Sequence, residues 1–244
     1  MKKRRWFSLF LSFALLLPLF SLTSADAYED FTLDAKAGLL IEADTGEILY
    51  EKNAHQENFP ASLTKVMVAL LVFEAIDEGK IALTDSVTAT ESAFEGLSSD
   101  GSTANIVPGE TMTVEQLLNC MLIVSANEAC NILGETLCGS VDAFVARMNE
   151  RAAELGCEHT HFANATGLHN SQHYTTAWDL YLITREALKH DKFMEICNSK
   201  SYTVPATNMT DKPRELHSTN FLISNWRARG YVYRDAQGIK TGST

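Results

Sequence analysis

Three short strings lie in order along this chain: Ser62-Leu63-Thr64-Lys65, then Ser125-Ala126-Asn127, then Lys240-Thr241-Gly242. A serine hydroxyl is a poor nucleophile until a base takes its proton, and Lys65 follows Ser62 at a spacing that shares one face of a helix. Lysine acts as a base only when its pKa is lowered. Burial does this, and so does a nearby cation, a part open to Lys240 if the fold brings it close. A serine near a helix start also puts the carbonyl it attacks beside free backbone N–H groups. Ser125 offers a second hydroxyl to relay a proton to a leaving nitrogen, and the Asn127 amide can bond both a lysine and a substrate amide. On a strand, Lys240 and Gly242 face one side and Thr241 the other. The lysine brings charge for a carboxylate, and the glycine lets a substrate backbone pair closely along the strand edge. Each string alone has an ordinary reading as a helix start or a turn, and Ser218-Thr219-Asn220 rivals the second. In this order, on helix start, turn and strand, they describe acyl transfer through a serine ester.

The elements that must hold these strings follow from local pattern. Lys36 to Glu42 and Ile48 to Lys52 are apolar runs joined by Asp44-Thr45-Gly46-Glu47, a hairpin signal. Pro60-Ala61-Ser62 opens a helical stretch to about Glu78, with Val66, Ala69, Leu70 and Phe73 at helical spacing and Gly79 as its stop. Residues 85–110 read as irregular. Thr113-Val114-Glu115-Gln116 is a capping box for a helix to about Val124, and Ser125 to Asn127 falls in the break before a helix from about Glu128 to Cys138. Further helices are expected from Val141 to Leu155, ending at Gly156, and from Thr176 to Lys189, with loop between His159 and His173. Residues 201–234 are mixed, and Gly238 to Ser243 suggests a strand. Terminal β-segments around a helical middle predict an α+β protein with a sheet assembled from both ends of the chain.

Bulk properties narrow the function classes. Lys2, Lys3, Arg4 and Arg5 precede an apolar run from Trp6 to about Leu22 and an Ala25-Asp26-Ala27 site, the pattern of a cleaved export signal over residues 1–27. Removing it takes four of the 20 basic residues and one of the 31 acidic ones, leaving 16 against 30, a net charge of −14. Such a surface repels nucleic acid and anionic headgroups. The expected mature chain, residues 28–244, is long enough for one large core or two subdomains, and it holds no second membrane-spanning run. Its five cysteines, Cys120, Cys130, Cys138, Cys157 and Cys197, are odd in number and irregularly spaced, so buried thiols are expected rather than a disulfide framework.

With these strings and their flanks, the chain resembles the serine-type D-alanyl-D-alanine carboxypeptidases, the low-molecular-mass penicillin-binding proteins, from about Ala37 to Thr244. The resemblance includes Pro60 to Met67, Leu122 to Ala129, Thr160-His161-Phe162 with Gly167-Leu168, His173 to Ala177, and Gly238 to Gly242. It implies a serine β-lactamase-like α+β fold, an antiparallel sheet flanked by helices with a helical subdomain. It implies that Ser62 forms the acyl-enzyme, that Lys65 accepts the proton, and that Ser125 and Asn127 complete the proton network. Lys240, Thr241, Gly242 and Ser243 would bind substrate, Lys240 holding the terminal carboxylate, with an oxyanion hole from the Ser62 and Ser243 N–H groups. The substrates would be peptidoglycan stem pentapeptides, the inhibitors β-lactams, and neither metal nor cofactor would be used. The location would be the extracellular or periplasmic face of the envelope. The family's pattern continues beyond its Lys-Thr-Gly string with further strands, a second domain and a membrane-binding segment, so residues 28–244 are expected to be a catalytic domain incomplete at its C-terminus. Glu128 follows Asn127 where the family often has Asp, and Asn164-Ala165-Thr166-Gly167 stands where Asn-Pro is common.

Rival readings are weaker. A class A β-lactamase needs a Glu-x-x-Leu-Asn string beyond the second motif, which this chain lacks. A D,D-endopeptidase would differ only in the bond cut, and a penicillin-binding sensor that is acylated without turnover would keep the same strings. A zinc peptidase would have to use His159, His161, His169 and His173, whose spacing suits zinc only on a helix where loop is expected.

Overall fold

The computed structural model describes residues 33–243. The chain divides into two units, Met1–Ala35 and Lys36–Thr244; only residues 33–35 of the first are described, and the expected leader at 1–27 lies outside the described residues. Strands β1 (Gly38–Ile41) and β2 (Ile48–Lys52) pair antiparallel as the hairpin signal predicts. The Glu42 carboxylate closes their turn, accepting from the Asp44 N–H at 3.2 Å and from the Thr45 N–H at 2.6 Å.

A 3-10 turn at Ala61–Thr64 leads into α1 (Lys65–Asp77). Every residue of α1 from Lys65 to Phe73 is buried, so this helix is the axis of the unit rather than a surface helix. It packs against α2 (Val114–Ile123), α3 (Asn127–Cys138), α4 (Val141–Glu154) and α5 (Ala177–Ala187). The caps read from sequence are formed. Thr113 and Gln116 bond reciprocally at the start of α2, at 3.2 and 2.9 Å, and the expected stops Gly79 and Gly156 lie in the left-handed region just past α1 and α4. Met67, Leu70, Leu118, Met121, Leu133, Phe144 and Phe193 fill the core between the helices.

Among the described residues the architecture is α+β, with six α-helices and three separate two-stranded antiparallel ladders. Residues 85–110 are not wholly irregular: β3 (Ser86–Thr88) pairs with β4 (Thr111–Thr113). Residues 201–234 contain the hairpin of β5 (Ser201–Val204) and β6 (Arg214–His217), and a short helix, α6 (Asp191–Cys197), precedes it. The expected strand at Gly238 to Ser243 does not form a ladder, and no sheet joins the two ends of the described chain. The reason is spatial. An apolar groove of about 480 Å³, lined by Leu39, Ile41, Leu180 and Ile239 among others, separates β1 from this segment, so their backbones do not meet. Its contacts are with the Ser62 turn and α6 instead: a Cβ on Gly242 would stand 3.2 Å from the Pro60 carbonyl, and one on Gly238 would stand 3.3 Å from Met194. No described helix is long and apolar enough to cross a membrane.

Candidate active site

Ser62 lies in the 3-10 turn and Lys65 begins α1, so their side chains rise from consecutive turns. The Lys65 ammonium nitrogen is 3.0 Å from Ser62 Oγ, 2.9 Å from Asn127 Oδ1 and 2.6 Å from the Thr166 carbonyl oxygen. Lys65 is wholly buried, and burial holds its pKa below the ordinary lysine value against the opposing pull of Cys130 and Glu128.

The second string sits in the tight connection between α2 and α3. Ser125 takes a left-handed conformation, φ +65°, which turns its side chain away from the helices. Its hydroxyl is buried with no hydrogen-bond partner, yet it lines the cavity that contains Ser62. Among the described residues no group satisfies this hydroxyl, and the cavity is the side from which one could reach it. The Asn127 N–H donates to the Ser102 carbonyl at 2.9 Å, and the loop before it is close enough that a Cβ on Gly101 would stand 2.7 Å from Asn127 Nδ2.

The third string reaches the same place from another direction. Gly242 passes Pro60 and Ala61, and Ser243 lines both cavities that open onto Ser62. Thr241 Oγ1 is 2.7 Å from Thr219 Oγ1, and Asn220 Nδ2 donates to the Gly238 carbonyl at 2.6 Å. The rival string Ser218-Thr219-Asn220 is thereby a brace for Lys240-Thr241-Gly242 and holds no base beside a nucleophile. Among the described residues Lys240 makes no hydrogen bond to Ser62, Lys65 or Asn127. Its ammonium donates to the Thr241 carbonyl at 2.8 Å, and its stem lines the apolar groove. Burial first, and repulsion from Lys65 second, lower it to about 7. The repulsion between the two lysines is mutual and disfavours both carrying charge at once.

Several residues that complete the site were not singled out from sequence. Glu128, noted only as a departure from the family pattern, is buried and accepts from Thr103 Oγ1 at 2.7 Å and from the Ala104 N–H at 2.8 Å, tying the 101–106 loop to the start of α3. Asn164 Oδ1 accepts from the N–H groups of Thr166 and Gly167, at 3.1 and 2.8 Å, and so aims the Thr166 carbonyl at Lys65. Gly167 has φ +86°, and a Cβ there would stand 1.9 Å from the Ala61 carbonyl oxygen. An Asn three residues before a Gly is a turn signal that could have marked this loop. The four histidines do not converge: His159 faces Glu57, His169 packs on Phe59, His161 bonds the Gln172 carbonyl, and His173 is buried against Thr64. All five cysteines are free thiols.

The cluster therefore joins a hydroxyl, a buried amine, two carbonyl acceptors on that amine and a second, unsatisfied hydroxyl, between cavities of about 550 and 620 Å³. A family model described as D-alanyl-D-alanine carboxypeptidase, peptidase S11, matches residues 23–244. The chain is 39% identical over 211 residues to D-alanyl-D-alanine carboxypeptidase DacF of Bacillus subtilis, covering 86% of this chain and 51% of that protein. It is 32% identical over 218 residues to DacC of Escherichia coli, covering 87% and 51%. The chain spans about half the length of these curated relatives. Among solved structures, the Streptomyces K15 DD-transpeptidase matches with a TM-score of 0.78 and 28% identity over 89% of this chain and 83% of that one. The peptidoglycan synthesis regulatory factor PBP3 of Streptococcus pneumoniae matches with a TM-score of 0.76 and 30% identity, covering 88% and 59%.

Proposed function

Because the chain belongs to the D-alanyl-D-alanine carboxypeptidase family, we propose that it is a serine D,D-carboxypeptidase that removes the terminal D-Ala from peptidoglycan stem pentapeptides through an ester on Ser62, and that β-lactams acylate the same serine. The observation that carries this reading is the surroundings of the Lys65 nitrogen. Asn127 Oδ1 and the Thr166 carbonyl oxygen can only accept, so each takes one N–H of Lys65. A neutral amine has two N–H groups and one lone pair. In its free-base form, with both N–H groups so used, the amine turns its lone pair to the Ser62 hydroxyl at 3.0 Å, the arrangement of a general base beside its nucleophile.

The chemistry then runs as follows. Ser62 Oγ attacks the carbonyl of the penultimate D-Ala as its proton passes to Lys65 Nζ. The oxyanion forms against the Ser62 and Ser243 N–H groups. The Ser125 hydroxyl, free of other partners, passes a proton to the nitrogen of the departing D-Ala and is reprotonated from Lys65. Water then attacks the ester with Lys65 again taking the proton, which passes to Ser62 Oγ as the ester bond breaks and the acid product leaves. Thr241 and Gly242 align the substrate backbone, and the terminal carboxylate lies beside Thr241 and Thr219, in the field of Lys240. On this reading residues 1–27 direct export, residues 28–244 belong to the catalytic domain, and the protein works at the outer face of the cell envelope.

Mass mapping after penicillin treatment tests the assignment: the label is expected on Ser62 and lost in Ser62→Ala. Lys65→Arg, which keeps the charge but cannot act as a base, should abolish acylation. Label on another residue, or acylation of the arginine variant at the parental rate, would discard it. A second reading, transfer of the acyl group to an amine, is favoured by the two cavities that meet at Ser62 and by the likeness to a DD-transpeptidase. Release of free D-Ala without any added amine distinguishes hydrolysis from transfer.

A further inference from the structure

Ala61, immediately before Ser62, has φ +49°, a left-handed conformation that costs a residue with a Cβ free energy. Its carbonyl oxygen lies over Gly167 and accepts from Thr64 Oγ1 at 2.8 Å. Thr64 Oγ1 is also 2.8 Å from Nε2 of His173, 109 residues further along the chain. Proton counting sets the direction of each bond. The Ala61 carbonyl can only accept, so the single hydroxyl proton of Thr64 goes there, and Thr64 receives from His173 Nε2–H. Nδ1 of His173 accepts from the Ala163 N–H at 3.2 Å. A neutral imidazole with its proton on Nε2 satisfies all three bonds, whereas an imidazolium would oppose two N–H groups at Nδ1. Burial, with His161 nearby, lowers His173 to about 4, which keeps the ring neutral. The residue is 2% exposed, its ring meets Phe162 edge to face, and its backbone N–H donates to the Asn170 carbonyl at 2.9 Å.

We propose that His173 is a positioning residue for the acyl transfer: through Thr64 it fixes the Ala61–Ser62 peptide, and with it both the Ser62 side chain and the Ser62 N–H. This rests on Ser62 being the nucleophile. The peptide plane between Ala61 and Ser62 carries the Ala61 oxygen at one end and the Ser62 N–H at the other, so a bond that holds the oxygen also aims the donor. The Leu63 N–H to Pro60 carbonyl bond at 3.1 Å closes this turn but leaves the Ala61 oxygen unheld, so without the Thr64 bond the Ala61–Ser62 peptide is freer to rotate and its donor is less well aimed at the oxyanion.

The test is single-turnover acylation of the protein by a chromogenic β-lactam, which separates the binding constant from the acylation rate constant. Thr64→Val keeps the volume and cuts the link; His173→Phe keeps a ring and removes both nitrogens. Each is expected to lower the acylation rate constant about 10- to 100-fold with binding changed less than about 3-fold. The double variant should lose little more than either single one, because the two residues form one chain. Thr64→Ser, which restores the hydroxyl, should recover most of the loss. Thermal unfolding and label stoichiometry count folded sites, and the imidazole ¹⁵N spectrum of the unsubstituted protein should place the proton on Nε2. If His173→Phe does not fold, Thr64→Val and the spectrum decide. A parental acylation rate in folded Thr64→Val, a loss borne by binding alone, or a proton on Nδ1 overturns the proposal. Parental labelling of Ser62→Ala would instead overturn the nucleophile assignment, whatever Thr64→Val does.

Discussion

Asn127 Oδ1 stands 2.9 Å from Lys65 Nζ, and as an amide oxygen it accepts a proton without adding charge. Asn127→Asp keeps the acceptor and adds the charge. A carboxylate at this distance favours the ammonium form, so Lys65 should hold its proton to higher pH. The acylation rate of the variant is expected to fall at least about tenfold near neutrality and to recover as pH rises, with the apparent pKa displaced upward. The pH–rate profile of β-lactam acylation checks this. An undisplaced profile would mean that the titrating group is not Lys65.

Gly167 faces Ala61 across the site. Gly167→Ala places a Cβ 1.9 Å from a backbone oxygen at a residue with φ +86°, and neither party is a flexible side chain. The clash and the dihedral together are expected to destabilise the protein by more than about 2 kcal/mol, or to displace the Ser62 turn and suppress acylation. Thermal unfolding and labelling measure the two outcomes separately. A variant with parental stability and parental labelling would show that this approach is looser than drawn.

Lys240 is lowered from 10.5 to about 7. A terminal carboxylate bound near Thr241 attracts the charged form, so its affinity should weaken as pH rises through about 7. Lys240→Arg stays charged and should flatten that dependence. Folding has its own pH dependence here. Between about 7 and 10.5 the unfolded chain carries a proton on Lys240 that the folded chain has shed, so this group makes stability rise with pH across that window. Substrate KM and melting temperature followed over the same pH range test both signs.

His173 is lowered from 6.5 to about 4. Between these values the unfolded state binds a proton that the folded state does not. Stability is therefore lost as pH falls from about 6.5 towards 4, by up to about 3 kcal/mol. Denaturant unfolding of the parent and of His173→Gln should diverge in this window, the glutamine variant lacking this component. Parallel curves would show that His173 is not the group responsible.

The helices were legible because their signals are local. Thr113 with Gln116, Ser140, Thr176, Gly79 and Gly156 mark their ends by side-chain type alone. The Ser62–Lys65 contact was legible for the same reason, since the two residues are three apart in the chain. What escaped depends on distant partners. The three-residue strands β3 and β4 are ordered by each other and by the segment between them. Helix α6 has no side-chain cap at His190 to announce it. Gly238 to Ser243 has strand-like composition, but composition does not supply a neighbouring backbone. Lys240 donates to its neighbour's carbonyl, a backbone contact that side-chain type does not signal. His173 reads as one polar histidine among four in a loop, and only the folded chain shows that it is the buried one bonded to Thr64.

Ser62 and Ser243 border two cavities at once. One is walled by Phe59, Asp100 and His169, the other by Phe221, Leu222 and Arg227. An ester on Ser62 can therefore be approached from a side that the departing amine never occupied. Recognition of what is attached and admission of what removes it depend on different walls, contributed by different loops. On the proposed placement of the terminal carboxylate beside Thr219 and Thr241, the 221–231 wall borders the departing amine and the Asp100 and His169 wall borders the opposite side of Ser62, so drift in either loop would retune one side of the ester without touching the Ser62–Lys65 pair.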